Sequence, residues 1–392
     1  MASDDGLPIR VTHIAKTVGH GGVAVGAADW CSAMARHGIE SRMLYVADRE
    51  HARIAEEFAR RGIPCRVTSG TSAALREVMK LRVANLARVG TPRILHVHTG
   101  LAVIRRSADA LRRLAGSRSP SVMSLYGPSA MVGDDPQSPA WVEHRRLAGL
   151  WDVVTAPSAF EAEVQARMCD ATAPLACVKF CCEATPPEPG SLRAMLGVDE
   201  REVLLTSIGR LHMGQKDPAT LIDAFAIVAP QVERTRLVLI GDGEDRAFLE
   251  AKVRALPPAI AARVHLVGHV QAPARLLADA FAFLAASRAE SFGLVAYEAA
   301  LAGTPLVLAA IQPWQSMFDD GDESLFFAPG DAGTLAEHVL GLLREPARAR
   351  AMAARAQARA RRDSDPDAIG RTWREIYAEL LVGESATTRP RG

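Results

Sequence analysis

Short, continuous apolar runs rich in β-branched residues constrain this chain's fold more than any other feature. In the first half they are Val11–Ala15, Met43–Val46, Ile94–His98, Val122–Tyr126 and Val153–Ala156. In the second half they are Val203–Ile208, Leu237–Ile240, Val264–Val267, Phe281–Ala285 and Leu306–Ala309. Most lack apolar–polar alternation, the pattern of strands covered on both faces. Longer helical patterns lie between them, among them Gly26–His37, Ala159–Met168 and Pro218–Ala229. Asp217-Pro218 opens the last with an N-cap residue and a first-turn proline. Repeated strand–helix alternation predicts an α/β fold of parallel, doubly wound sheets.

A chain of 392 residues exceeds what one core usually organises, so two domains are expected. The segment Ala184–Ser191 (ATPPEPGS) has three prolines and a glycine, which suit a linker better than a helix or strand interior. The expected division is residues 1–184, residues 185–364 and a C-terminal stretch 365–392. Within that stretch Asp365–Leu381 is helical in pattern, with Trp373, Ile376, Tyr377 and Leu380 on one face, and packing back on the first domain is one option. The alanine- and arginine-rich Arg344–Arg362 reads as a surface helix whose Arg355, Arg359 and Arg362 face solvent. A net charge of +1 gives no global field for nucleic acid. The six cysteines show no repeated C-x-x-C spacing, so a reducing compartment is the simpler reading. MASDDGLPIR has no apolar h-region and no run is long enough to span a bilayer. A cytoplasmic protein without stable membrane insertion is expected, with peripheral association at the inner membrane left open.

The residues that carry chemistry lie in FAFLAASRAESFGLVAYEAA, Phe281–Ala300. A buried strand should end near Ala286, a loop should hold Glu290, and a helix should begin near Phe292. Ligands of open α/β sheets bind outside the carboxyl ends of the strands. There the amides of Phe292, Gly293 and Leu294 suit a phosphate, and Gly293 permits close approach. Glu290 and Glu298 would flank that site. Eight residues of helix cover about 12 Å, whereas glycosidase carboxyl pairs lie about 5–9.5 Å apart. The spacing is too long for a retaining hydrolase pair, while side-chain lean leaves an inverting pair open; it suits recognition of two hydroxyl groups, a sugar by Glu290 and a ribose by Glu298.

ESFGLVAYEAALAGTPLV resembles the Glu-x7-Glu signature of glycosyltransferase family 4, retaining enzymes of the GT-B fold. SIGRLHMGQKDPATLIDAFAIV (Ser207–Val228), LVLIGDGEDRAFLE (Leu237–Glu250), VHLVGHV (Val264–Val270) and FFAPGD (Phe326–Asp331) are similar to family segments in the expected order. The resemblance implies two Rossmann-like domains facing each other across a cleft, the second binding a nucleotide-sugar, a UDP-sugar foremost. It implies that Arg210 and Lys216 hold the donor diphosphate and act with Glu290 in catalysis, with Ser291 beside the helix start. It requires no metal or cofactor. In the first domain, glycine-rich loops like His20-Gly21-Gly22 face the donor phosphates and the acceptor, although a plain strand-to-helix turn also accounts for Gly21 and Gly22. His96 and His98 form H-x-H, but two ligands do not make a zinc site. His98 and Tyr126 are placed on the acceptor side.

The chain departs from the family at four places. It has one more residue between Arg210 and Lys216. Leu125-Tyr126-Gly127 lacks the usual histidine, Gln312–Ser316 replaces a Gly-Gly-x-Pro-Glu run, and Cys181–Ala184 replaces a hinge Asn-Gly. Acceptor, sugar and oligomeric state are not legible. A dinucleotide oxidoreductase is disfavoured, because Gly241-Asp242-Gly243 has Arg246 where a third glycine belongs. A sugar-nucleotide epimerase or phosphorylase on the same fold, or a non-catalytic sugar-nucleotide-binding protein, remains an alternative.

Overall fold

The structure, a computed structural model, describes residues 8–16, 22–46, 51–68, 71–86, 93–99, 104–116, 119–125, 137–169, 174–182, 191–290 and 292–386. It divides into two compact units, residues 1–183 with 364–392, and residues 184–363. The proposed linker at 184–190 lies outside the described residues.

The first unit holds β1 (Ile9–Lys16), β2 (Ile39–Val46), β3 (Cys65–Thr68), β4 (Arg93–Thr99), β5 (Ser121–Leu125), β6 (Val153–Ala156) and β7 (Leu175–Cys177). They form a seven-stranded sheet in the order β3-β2-β1-β4-β5-β6-β7. Neighbouring strands run parallel, so each crossover carries a helix back over one face. One face buries Ile14, Leu44, Leu95, Val97 and Met123 against Val78 and Leu81 of the helix Thr71–Leu86. The other buries Ala15, Met43 and Tyr45 against Ala27, Ala28 and Cys31 of the helix Gly22–Ala35. This two-sided burial accounts for the unbroken apolar runs in the sequence.

The second unit holds β8 (Val203–Ile208), β9 (Thr235–Ile240), β10 (Val264–Gly268), β11 (Ala282–Ala285), β12 (Leu306–Ala309) and β13 (Leu325–Phe327). Their order is β10-β9-β8-β11-β12-β13, again with parallel pairs. From β8 the chain winds one way to β10, then crosses back and winds the other way from β11 to β13. The loops leaving β8 and β11 therefore diverge at their carboxyl ends. That divergence opens a crevice.

The C-terminal helix Pro366–Ala386 belongs to the first unit. Asp365 accepts from the Ala368 amide at 3.2 Å and so caps it. Trp373 and Tyr377 are fully buried, Trp373 lying edge-on to Trp30 at 4.9 Å between ring centroids. Ile376 and Leu380 are half-buried on the same side.

The arginine stripe of the preceding helix Pro346–Asp363 differs from a merely solvated face. Arg359 pairs with Asp363 at 2.9 Å and Glu323 at 3.6 Å, and Arg355 with Asp322 at 2.8 Å. Arg362 meets Asp363 at 3.3 Å. Carboxylates of the turn after the helix Gln312–Met317 recruit this stripe, a contact that helical periodicity alone does not reveal. Among the described residues no helix is long and apolar enough to cross a membrane.

Candidate functional site

The site lies where β8 and β11 diverge, and its walls are tied loop to loop. Leaving β8, Gly209 donates its amide to Ile240 at 3.0 Å, and Leu211 donates to Asp242 at 3.1 Å. Asp245 returns a bond to the Leu211 carbonyl at 3.2 Å. A side chain at Gly243 would run into the Leu211 backbone, so glycine there lets the two loops touch. Gly241-Asp242-Gly243 thus serves loop contact; it is not a dinucleotide fingerprint.

His212 then caps the single helical turn Met213–Lys216, its Nδ1 accepting from the Gln215 amide at 3.1 Å. The Met213 amide donates to Asp245 Oδ2 at 2.6 Å. This turn carries Lys216 to Glu290 on the opposite loop. Asp217 begins the helix Pro218–Val228 in the left-handed region, φ 43°. Its side chain does not cap that helix. The buried carboxylate instead accepts from Thr220 Oγ1 at 3.0 Å and from Arg288 Nη2 at 2.6 Å.

Opposite, the loop after β11 is stitched to this turn. Arg288 donates its amide to the Gln215 carbonyl at 2.8 Å, and Gln215 Nε2 donates to the Ala289 carbonyl at 3.4 Å. Glu290 Oε1 accepts from Ser287 Oγ at 2.9 Å and also from the Lys216 ammonium. Glu290 is 8% exposed and the Lys216 side chain 22%. Arg210 is exposed at the rim of the same crevice, which Ser207, Leu211, Ser287 and Val295 also line.

The following helix runs Leu294–Leu301. It starts two residues later than the sequence suggests because Gly293 takes φ 84° as its N-cap. Phe292 is buried beside Tyr297, with ring centroids 5.2 Å apart. The first-turn amides are therefore those of Leu294 and Val295, while Ala296 donates to the Gly293 carbonyl at 2.9 Å. Glu290, Phe292 and Gly293 are not helical, so the separation of Glu290 and Glu298 cannot be taken from helix rise. Glu298 is half-buried one turn into the helix. Gln312–Ser316 forms most of the helix Gln312–Met317, and its fully buried Trp314 sets its indole against Gly293. Ser291 lies outside the described residues.

In the first unit Gly22 begins the helix Gly22–Ala35, while Gly21 and Tyr126 lie outside the described residues. His98 is not at an open strand end. It is fully buried, and its Nε2 lies 2.9 Å from His13 Nδ1. His96 meets Tyr377 Oη and Ser124 Oγ, each at 2.7 Å. His13 also reaches Ser41 Oγ at 3.2 Å. Burial lowers the His13 pKa to about 3, and burial with the neighbouring imidazoles carries those of His96 and His98 well below the usual value. The three rings are close enough to share a metal ion. They are also neutral links in hydrogen-bond chains that join β1, β2, β4 and the C-terminal helix. His13, Ser287, Gln215 and His212 were missed in the sequence; only the Ser-x-x-Glu spacing of Ser287 and Glu290 carried a local signal.

Residues 202–345 match the family model for Glycosyl transferases group 1. A D-inositol 3-phosphate glycosyltransferase of Frankia alni is 33% identical over 170 residues, 41% of this chain and 42% of that protein. An N-acetyl-alpha-D-glucosaminyl L-malate synthase of Bacillus anthracis is 29% identical over 154 residues, 39% of each. The chain thus spans about two fifths of the length of these curated relatives. Among solved structures, Anabaena Alr3699/HepE in complex with UDP-glucose superposes with a TM-score of 0.78 at 19% identity, covering 95% of this chain and all (100%) of that one. Sucrose-phosphate synthase of Thermosynechococcus elongatus gives 0.74 at 19% identity, covering 96% and 100%. At these identities the likeness establishes the fold: two Rossmann-like α/β units of the kind found in GT-B glycosyltransferases.

Proposed function

We propose that this chain is a retaining glycosyltransferase that moves a sugar from a nucleoside-diphosphate sugar, a UDP-sugar foremost, to a hydroxyl or other nucleophile of an acceptor. The observation that carries this reading is the meeting of Arg210, Lys216, Glu290 and the start of the helix Leu294–Leu301 at one switch point. That switch point falls inside the segment that matches the group 1 family. A diphosphate in such a crevice would take charge-assisted hydrogen bonds from Arg210 and Lys216. The free amides and dipole of the helix start would add to them. These donors stand where negative charge grows as the glycosyl bond to the leaving phosphate breaks, so they stabilise the transition state more than the ground state. Glu290 would accept from sugar hydroxyls and Glu298 from the ribose. Retention and metal independence follow from the likeness to the Glu-x7-Glu signature, and acceptor recognition would fall to the first unit.

The test is incubation of the protein with UDP-, GDP- and ADP-linked sugars, with and without cell extract as acceptor source. Release of free nucleotide only with acceptor, and a product keeping the anomeric configuration of the donor, supports the reading. A donor isomerised without acceptor would make the chain an epimerase and remove it.

A further inference from the structure

The proposed donor site already contains its own anion. One oxygen of Glu290 holds both the Lys216 ammonium and the Ser287 hydroxyl. Arg210, by contrast, has no side-chain partner among the described residues and stands exposed at the rim. The Lys216–Glu290 contact is built in. The two hydrogen bonds between Gln215 and the Arg288–Ala289 backbone fix the loops that carry the pair. Ser287, 3% exposed, anchors the carboxylate from beneath. Little side-chain freedom is left to lose, and partial removal from water strengthens the attraction relative to a surface pair. An anion entering the crevice must therefore share Lys216 with a carboxylate that also repels it.

We infer that Glu290 is a resident counter-ion through which Lys216 distinguishes an intact donor from its bare nucleoside diphosphate. This rests on the donor-site reading above. A diphosphate that arrives with a sugar brings hydroxyl donors for Glu290. Those bonds draw the carboxylate toward the sugar and release Lys216 to the phosphate. A bare nucleoside diphosphate brings a terminal phosphate with up to one more negative charge and no hydroxyl there, so Glu290 repels it and keeps its claim on Lys216. After transfer, Lys216 returns to Glu290 and the product nucleotide is expelled. The site thereby selects a hydroxyl-bearing sugar diphosphate over the diphosphate alone.

Calorimetric titration of the full chain with UDP and with UDP-glucose tests this. Glu290→Gln keeps the volume and an acceptor for Ser287 but deletes the charge, and Glu290→Ala deletes both. The expected result is UDP binding about tenfold tighter in each variant, the scale of one charge-assisted contact. Acceptor-dependent turnover should fall, and product inhibition by UDP should deepen. Arg210→Ala separates the two levels of the argument. If it weakens UDP binding while both Glu290 variants leave UDP affinity unchanged or lower, the donor site stands and the counter-ion role falls. If the wild-type chain binds neither UDP nor UDP-glucose, both fall.

Discussion

Gly293→Ala acts on the turn that starts the helix Leu294–Leu301, and two effects add there. At φ 84° an alanine occupies the left-handed region, at about 1–2 kcal/mol. Its Cβ would also lie 3.0 Å from Trp314 Cε2, 3.2 Å from Cδ1 and closer still to Nε1. Trp314 is fully buried, so the indole has no free direction to move, and overfilling of this kind costs about 1–3 kcal/mol. The sum, roughly 2–5 kcal/mol, should lower the melting temperature of the second unit by about 4–20 °C, given about 2–4 °C per kcal/mol at its size. Differential scanning calorimetry of the full chain reads that shift, and titration with UDP-glucose reads the displaced helix start as weaker binding. Trp314→Phe in the alanine background should recover the steric part and leave the backbone part, a double-mutant cycle with nonzero coupling. Gly293→Ala melting within a degree of wild type with unchanged binding would refute the reasoning.

Arg210→Ala should weaken UDP binding by about tenfold with little change in stability, since an exposed charge-assisted donor contributes to the ligand and not to the core. Equal affinity in the variant would remove Arg210 from the site. Arg359→Ala leaves the largely enclosed Glu323 without its cation and Asp363 with only the exposed Arg362 beside it, and should destabilise the second unit by about 1–3 kcal/mol in urea unfolding. A loss below about 0.5 kcal/mol, the range of surface changes, would mark the network as ornamental. The buried histidines set a pH dependence for the first unit. His13 has a folded pKa of about 3, below its unfolded value of about 6.5, so the unfolded chain binds the extra proton between those limits. Stability is full above pH 6.5 and falls on acidification toward pH 3, by up to about 1.4 kcal/mol per pH unit for His13, with His96 and His98 adding in the same direction. Melts at pH 7.5, 6 and 5 check this; a first-unit transition that does not move would show the rings accessible to protons in the folded state.

The strands most legible in the sequence are those covered on both faces, such as β5 and β12, whose every residue is buried. The strands β3, β7 and β13 were missed because they are three or four residues long and sit at sheet edges. Edge strands bury one side and leave no long apolar run. The Glu290–Glu298 string points to the candidate site, yet two features of its geometry were not legible. Gly293 delays the helix because a buried tryptophan twenty-one residues later fills the space beneath it. Lys216 meets Glu290 because His212 caps its turn and Gln215 binds the Arg288–Ala289 backbone, a loop remote in sequence. The position of His98 at the carboxyl end of a strand pointed to the acceptor side. Its burial depends on His13, in another strand, and on the C-terminal helix, whose Trp373 and Tyr377 close over His96.

Hydrogen–deuterium exchange of the full chain with and without UDP-glucose tests the central claim most directly, because it reports where the donor sits without any substitution. The account predicts slower exchange in Gly209–Lys216 and in Leu294–Ala296, the loop and helix start that converge at the second unit's switch point. Protection confined to other segments, with these two unchanged at saturating donor, would contradict it.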